Sequence, residues 1–368
     1  MTVRDIGQFI EDWAPAWTAW DNDAVGLQIG EPTRHVGRVL VALDVTPEVV
    51  REAAALRAEL ILSHHPMLLR PPKSIRTDEP LGSMLHELAR KRISVISAHT
   101  NLDFASDGVS FALASRLGLT GPRFLSHRTG LLAKLVVFVP ETHADAVADA
   151  MARSGAGVIG QYSDCSFRST GTGTFRGSET SRPFLGKPMV LEHAPEVRLE
   201  MIVPRALVAA TVRAMKSAHP YDEVAYDVIP VENPTAGSGE GVIGELPRPT
   251  RLTAFLALVK RSLGTRMLRF TPGASALLRR VAVCGGSGSQ LLESAIAAGA
   301  DALVTADVRY HAFHEASGRI ALVDAGHYET EHVILRPLAD RLRAFAKAQG
   351  DRLTVSVTRQ RTNPIQIV

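Results

Sequence analysis

The sequence predicts an α/β protein whose discontinuous, mainly parallel core is interrupted by a smaller inserted α+β domain. Three observations carry that expectation. Apolar runs alternate with amphipathic segments of helix length in the first third of the chain and again in the last third. The middle instead orders its elements β-α-β…β-α-β. The 368 residues are 45% hydrophobic and 21% charged, which suits two or three globular domains and argues against a disordered or fibrous chain.

In the first third, RVLVALD (Arg38–Asp44) is a continuous apolar run of the kind buried on both faces of a parallel sheet. Thr46-Pro47 starts a helix with proline in its first turn. LILSHH (Leu60–His65) is a second strand, LGSMLHELARK a second helix and ISVISAH (Ile93–His99) a third strand. GVSFALASRLG is a helix stopped by Gly118. The last third repeats the pattern with VAVCGG (Val281–Gly286), a helix from Gln290 to about Ala298, ALVTAD (Ala302–Asp307), a short helix through HAFHEASG, and IALVDAGH (Ile320–His327). One long helix ending near Gln349 and an edge strand, LTVSVTRQ, complete it.

The middle segment reads as LLAKLVVFVP, a helix over Thr142–Ser154, RLEMIVP, a helix over Arg205–Ala218, and EVAYDVIPV. That order predicts the ferredoxin-like split βαβ. The glycine- and serine-rich CSFRSTGTGTFRGSETS between its halves reads as mobile loop or hairpin, and ENPTAGSGEG as a linker. Residues 131–234 are therefore expected as an insert between 1–130 and 235–368.

Forty-one basic residues against 38 acidic leave a net charge of only +3, without the dense basic stripe of a nucleic-acid binder. No stretch approaches the ~20 apolar residues of a membrane span. MTVRDIGQFIEDW lacks the basic-then-apolar order of a secretory signal, so a cytoplasmic location is expected. Two distant cysteines, Cys165 and Cys284, argue against a disulfide framework or a cysteine-ligated zinc. Thirteen histidines direct attention to nitrogen and oxygen ligands instead.

Three motifs fall just past strand ends, where open α/β sheets place ligands. In Ser63-His64-His65-Pro66, adjacent histidines inside a strand would face opposite ways. Where the strand breaks they either diverge to serve two neighbouring ions or stand as exposed loop residues. In His99-Thr100-Asn101-Leu102-Asp103, the carboxylate either binds a cation, with His99 and Asn101 orienting ligands or substrate, or caps the following helix. In the third, His327 and Glu331 sit four apart and converge on one helix face, unless Glu331 only complements the helix dipole. Together His64, His65, Asp103, His327 and Glu331 offer three nitrogens and two carboxylates. That is more than a single zinc site uses and suits two ions sharing a carboxylate, with zinc, iron or manganese favoured over copper(I).

Other candidates read more plainly. Gly285-Gly286-Ser287-Gly288-Ser289 is a tight strand-to-helix turn or, without a P-loop lysine, a phosphate cradle. Trp13, Trp17 and Trp20 fall on one helix face. His311 and His314 are candidates for lining a metal pocket, and His219 with Tyr221, Asp222 and Glu223 reads as structural or as an interface.

The motifs WDNDAVGLQIG, LDVT, LILSHHPMLL, SAHTNLDFA, VCGGSGS, VTADVRYHAF and DAGHYETE, in that order, resemble those of the Nif-three-like dinuclear metal-centre proteins, the GTP cyclohydrolase 1 type 2 homologues. HPYDEVAYDVIPVEN is similar to the PII/CutA-like insert of the longer members. The resemblance implies two divalent metal ions on His64, His65, Asp103, His327 and Glu331, and toroidal homohexamers whose metal sites face an internal cavity. Many members carry glycine where this chain has Ala306, a departure that touches none of the five. A dinuclear hydrolase of a nucleotide-like or phosphorylated small molecule is one functional expectation, with His99 transferring the proton, Asp44 and Asn101 positioning, and basic residues such as Arg309 receiving the anion. The other is a non-catalytic metal-binding or regulatory protein whose insert senses a small molecule or metal. Neither expects a membrane or a specific nucleic acid as partner.

Overall fold

A computed structural model describes residues 1–366. The chain divides into two compact units, one formed by Met1–His127 together with the residues from Gly237 onward, the other by Arg128–Ala236.

The first unit begins with α1 (Val3–Trp13), β1 (Gly26–Ile29), β2 (Arg38–Ala42), α2 (Pro47–Ala55), β3 (Leu60–Ser63), α3 (Pro80–Lys91), β4 (Ser94–Ser97), α4 (Thr100–Asp103), α5 (Val109–Arg116) and β5 (Thr120–His127). Helix starts follow local chemistry. Thr2 and Asp5 form a reciprocal capping box on α1, and Thr46 accepts the Val49 amide ahead of Pro47 in the first turn of α2. Helix α1 ends at Trp13, so the three tryptophans share no helix face, contrary to expectation. Trp13 Nε1 donates to the Ser106 carbonyl at 2.8 Å, whereas Trp20 packs edge-on against Phe104.

The second unit comprises β6 (Leu132–Pro140), α6 (Ala144–Arg153), β7 (Phe167–Arg176), β8 (Leu191–Pro204), α7 (Val208–Ala218) and β9 (Tyr226–Val231). They form one antiparallel sheet in the order β7-β8-β6-β9. Its core sets alternate residues of the strands, among them Leu135, Val137, Leu199 and Met201, against Val147, Met151 and Met215 of the helices. The stretch read as mobile loop or hairpin is largely strand: β7 pairs with β8 from Phe167 opposite Glu200 to Arg176 opposite Leu191.

The first unit then resumes with β10 (Gly239–Arg251), α8 (Leu252–Leu263), β11 (Arg269–Thr271), β12 (Leu277–Ser287), α9 (Leu292–Ala297), β13 (Ala302–Ala306), α10 (Tyr310–Ala316), β14 (Ala321–Asp324), α11 (His327–Glu331), α12 (Leu335–Ala348) and β15 (Thr354–Val357). The stretch read as linker already enters β10 at Gly239, which pairs with His127 of β5. The single long helix expected after β14 is broken into α11, a 3₁₀ turn at His332–Ile334, and α12.

This unit holds two sheets, ordered β1-β4-β3-β2-β15 and β11-β14-β13-β12-β10-β5. Strands β15, β2, β3 and β4 run parallel, as do β12, β13 and β14, while antiparallel neighbours make both sheets mixed. Hydrophobic clusters cover both faces of the first sheet, which is why β2 reads as a continuous apolar run and why β3 and β4 are buried along their whole length. The three motifs that fall past strand ends do not share one sheet edge. Two follow β3 and β4 of the first sheet, and the third follows β14 of the second.

Candidate metal centre

The chain turns immediately after β3, and that turn decides where the two adjacent histidines point. The amides of His64 and His65 still bond to the Ala42 and Leu43 carbonyls, while the Ser63 hydroxyl donates to the His65 carbonyl at 2.9 Å. The rings consequently lie on one side, their centroids 5.0 Å apart.

Glu331 is the hub. Its Oε2 lies 2.9 Å from His65 Nε2 and 3.0 Å from His327 Nε2, and its Oε1 lies 3.9 Å from His64 Nε2. His64 Nε2 in turn stands 3.6 Å from Asp103 Oδ1. His64, His65 and Glu331 each offer one donor atom, all within 4.8 Å of one another, a group able to hold a metal ion. Asp103 and His327 adjoin it through the contacts just given.

Three donor atoms here, His64 Nε2, Asp103 Oδ1 and Glu331 Oε2, are buried and, with the imidazoles neutral, have no hydrogen-bond partner. Buried polar atoms are rarely left so, because desolvation without a replacement bond costs about 1–3 kcal/mol each. Nitrogen and carboxylate donors converging on one space fit a divalent cation of intermediate softness.

Every imidazole is pinned through its far nitrogen. His64 Nδ1 meets the Ala98 carbonyl at 2.8 Å, His65 Nδ1 meets Asp44 Oδ1 at 2.7 Å, and His327 Nδ1 meets Asp307 Oδ2 at 2.6 Å. Acceptors on Nδ1 keep a proton there, so that the neutral ring, the form a metal takes, turns its Nε2 lone pair toward the cluster. His99, whose ring centroid is 5.5 Å from those of both His64 and His65, is held in the same way by Asp23. Asp307 adopts a left-handed backbone (φ 53°) to turn its carboxylate toward His327.

The electrostatics follow. Burial opposes charge on His65, but Asp44 and Glu331 outweigh it and raise the imidazole to about 10. His327 rises to about 9 because Glu331 and then Asp307 outweigh its burial. His64 is raised against its own burial by Asp103 and Glu331. Burial pushes Asp103 up to about 6 despite His64 beside it, whereas the three imidazoles hold Glu331 well below the carboxylate range against its burial. Burial and the nearby Asp103 push the Cys284 thiol upward, keeping it neutral.

Several candidates take other places. Asp103 ends α4 and does not cap α5, whose N-cap is Gly108. Asn101 ties its amide to the Ala14 carbonyl at 2.6 Å, a tether within the fold. His311 and His314 are exposed and pack edge-on against Tyr310. Arg309 is the exposed N-cap of α10. The Gly285 and Gly286 amides are already used by Ser110 Oγ and Thr330 Oγ1, so neither is free to cradle a phosphate. The loop's glycines serve Glu331 instead: a Cβ on Gly286, at φ +59°, would stand 2.1 Å from Glu331 Oε1.

The sequence reading passed over Asp23 and the segment after β15. Asp23 lies within the WDND motif, the one signal available. The Thr362 hydroxyl bonds Asp44, and Arg361 and Asn363 hold the buried Glu329 at 2.9 and 3.1 Å.

The family model Duf34/NIF3 (NGG1p interacting factor 3) matches residues 1–364. A Halalkalibacterium halodurans protein named GTP cyclohydrolase 1 type 2 homolog is 39% identical, covering 99% of this chain and 98% of its own length. A Bacillus subtilis protein of the same name is 37% identical, covering 98% and 97%. Among solved structures, a Bacillus cereus protein related to NIF3 aligns with a TM-score of 0.73 at 38% identity, and a Staphylococcus aureus protein at 0.77 and 28%, each covering 100% of this chain and 99% of the other.

Proposed function

Because the chain belongs to the Duf34/NIF3 family, we propose that Asp103 and His327 complete the His64–His65–Glu331 group to hold two divalent ions, zinc, iron or manganese, for hydrolysis of a nucleotide-like or phosphorylated small molecule. The observation that carries this reading is the trio of buried, unpartnered donor atoms on His64, Asp103 and Glu331. The arrangement around Glu331 supports two ions: one carboxylate oxygen faces His65 and His327, the other faces His64, next to Asp103.

A bound divalent ion supplies an acidified water and an electrophile for the bond under attack. The chain's own groups orient and move protons. His99, fixed through Asp23, presents its other nitrogen for proton transfer, and Asp44 holds His65 in register. The relatives' printed name supports GTP as the first substrate to test, by hydrolytic ring opening. We extend the proposal to a cytoplasmic homohexamer. No helix among the described residues is long and apolar enough to cross a membrane.

A second reading, a regulatory protein without turnover, is favoured by one observation: Arg128–Ala236 is a compact unit with its own core, which hydrolysis does not require.

Elemental analysis of untagged protein should give about two metals per chain, falling in His65→Ala. The loaded protein should turn over a nucleotide, and Asp103→Ala should abolish it. A metal ratio near zero in both proteins would overturn the centre. Turnover indifferent to Asp103→Ala would overturn the hydrolase. Light scattering after size exclusion tests the hexamer.

A further inference from the structure

A groove of about 690 Å³ lies wholly within the second unit, lined by residues between Phe138 and Ala225. It occupies the sheet face opposite the Leu135–Val137–Leu199 core, because Phe138, Glu196 and Arg198 alternate with those core positions along β6 and β8. Its size is that of a small-molecule site. Two motifs without a role in the metal centre build it. The glycine-rich strand β7 forms the floor, and the turn after α7 supplies Tyr221 to the wall.

That wall is fixed from below. His219 Nδ1 accepts the Tyr221 amide at 3.1 Å while its Nε2 donates to the Phe138 carbonyl at 3.0 Å. The Tyr221 hydroxyl donates to Glu196 Oε1 at 2.9 Å. Glu196 lies flat over the strand because position 173 is glycine: a Cβ there would stand 2.0 Å from Glu196 Oε2. Nothing lies within 4 Å of a Cβ built on Gly171, so the floor beside it is open.

The charges in the groove are unevenly matched. Arg198 is engaged by Glu200 at 2.7 Å, and Glu200 also takes Lys134 at 2.8 Å. Glu196 receives only the tyrosine hydroxyl, with no cationic side chain at ion-pair distance among the described residues. Asp222 and Glu223 add negative charge to the lining, against Arg176. Phe175 and Phe184 stand 6.0 and 6.3 Å from the Tyr221 ring, and Phe184 is 49% exposed. The cations of the described residues that lie over aromatic rings sit on other rings, Arg198 over Phe138 and Lys216 over Tyr226 in this unit. Three aromatic faces beside an unpaired carboxylate attract a cation from both sides of its chemistry: the ring quadrupoles take the flat face, the carboxylate takes the N–H donors.

We propose that this groove binds a flat organic cation, an amidinium, guanidinium or protonated heteroaromatic ring, stacked among Phe175, Phe184 and Tyr221 with its N–H groups on Glu196. The site is independent of the metal centre and stands or falls without it.

Calorimetric titration of the full chain with benzamidine, benzamide and benzoate separates charge from shape, since the three share a ring. Benzamidine should bind saturably and about tenfold or more tighter than either analogue. Glu196→Gln should weaken it by a similar factor, and Phe184→Ala by about fivefold, with melting temperature and metal content unchanged in both variants. Benzoate binding as tightly as benzamidine, which would make this an anion site through Arg176, overturns the proposal. So does benzamidine binding indifferent to both substitutions, or no saturable binding at all.

Discussion

Asp23 grips His99 across 76 residues of chain, with Oδ1 and Oδ2 at 2.8 and 3.0 Å from the ring Nδ1. The same carboxylate accepts the Thr100 amide at 3.2 Å and its hydroxyl at 2.5 Å. One side chain from the loop before β1 thus sets the orientation of the ring that follows β4.

That grip has an acid signature. Burial alone would raise the Asp23 carboxyl, but His99 and Thr100 outweigh it and hold it at about 2, below the ordinary 3.8. A depressed carboxylate stabilises the fold above its unfolded value and loses that contribution as pH falls through the folded one, here about 2 kcal/mol in full. Asp23→Asn should therefore be less stable than the parent at pH 7 by about that amount, the gap closing toward pH ~2. Urea unfolding of metal-free protein across this range measures it, and a gap independent of pH would refute the coupling.

His65 and His327 make the opposite prediction in alkali. Held at about 10 and about 9, both are imidazolium at neutral pH in the metal-free protein. Their stabilisation is complete below about 6.5 and is lost as pH rises through 9 to 10. A metal requires the neutral imidazole, so loading at pH 7 should release about two protons per chain, and apparent affinity should climb with pH. Calorimetry in buffers of differing ionisation enthalpy counts the protons; a count of zero contradicts the assignment.

Gly286→Ala tests the space beside Glu331. The new methyl group would contact Oε1 at 2.1 Å from a left-handed backbone that disfavours any Cβ. We expect about 1–3 kcal/mol of lost stability and reduced metal content. Gly264→Ala, also left-handed (φ +68°) but with open space around its Cβ, controls for backbone strain and should leave metal content unchanged. Equal metal loss in both would remove the steric explanation.

Excising residues 128–236 and closing the gap with a short glycine turn should leave the metal centre whole. Strands β5 and β10 already pair at His127 and Gly239, so the excision leaves two antiparallel strand ends to be joined as a hairpin. Metal content per chain should match the parent within error. Loss of metal from a folded excision variant would show that the centre depends on the second unit.

The parts of this architecture legible in the sequence are those encoded locally. A buried parallel strand announces itself as an apolar run, and the residue after it is placed by the fold, which is why His64, His65 and His327 could be singled out. The remaining features depend on chain segments far apart. Nothing near Asp23 indicates that its partner is His99. The break after Glu331 is signalled only by Pro337, which has no N–H to give the Val333 carbonyl and so belongs in the first turn of a new helix. The division of the strands into two sheets is equally silent, since parallel strands of either sheet look alike. Thr362, Arg361 and Asn363 belong to no regular element, so periodicity says nothing of their reach to Asp44 and Glu329.

The pinning of each imidazole through its far nitrogen governs how the centre would trade its contents. A mould already set in place would let one transition ion replace another without refolding the surrounding chain, so occupancy would follow the local supply of such ions. In a centre completed as we propose, magnesium and calcium, which demand oxygen-rich shells, would meet imidazoles with no freedom to withdraw.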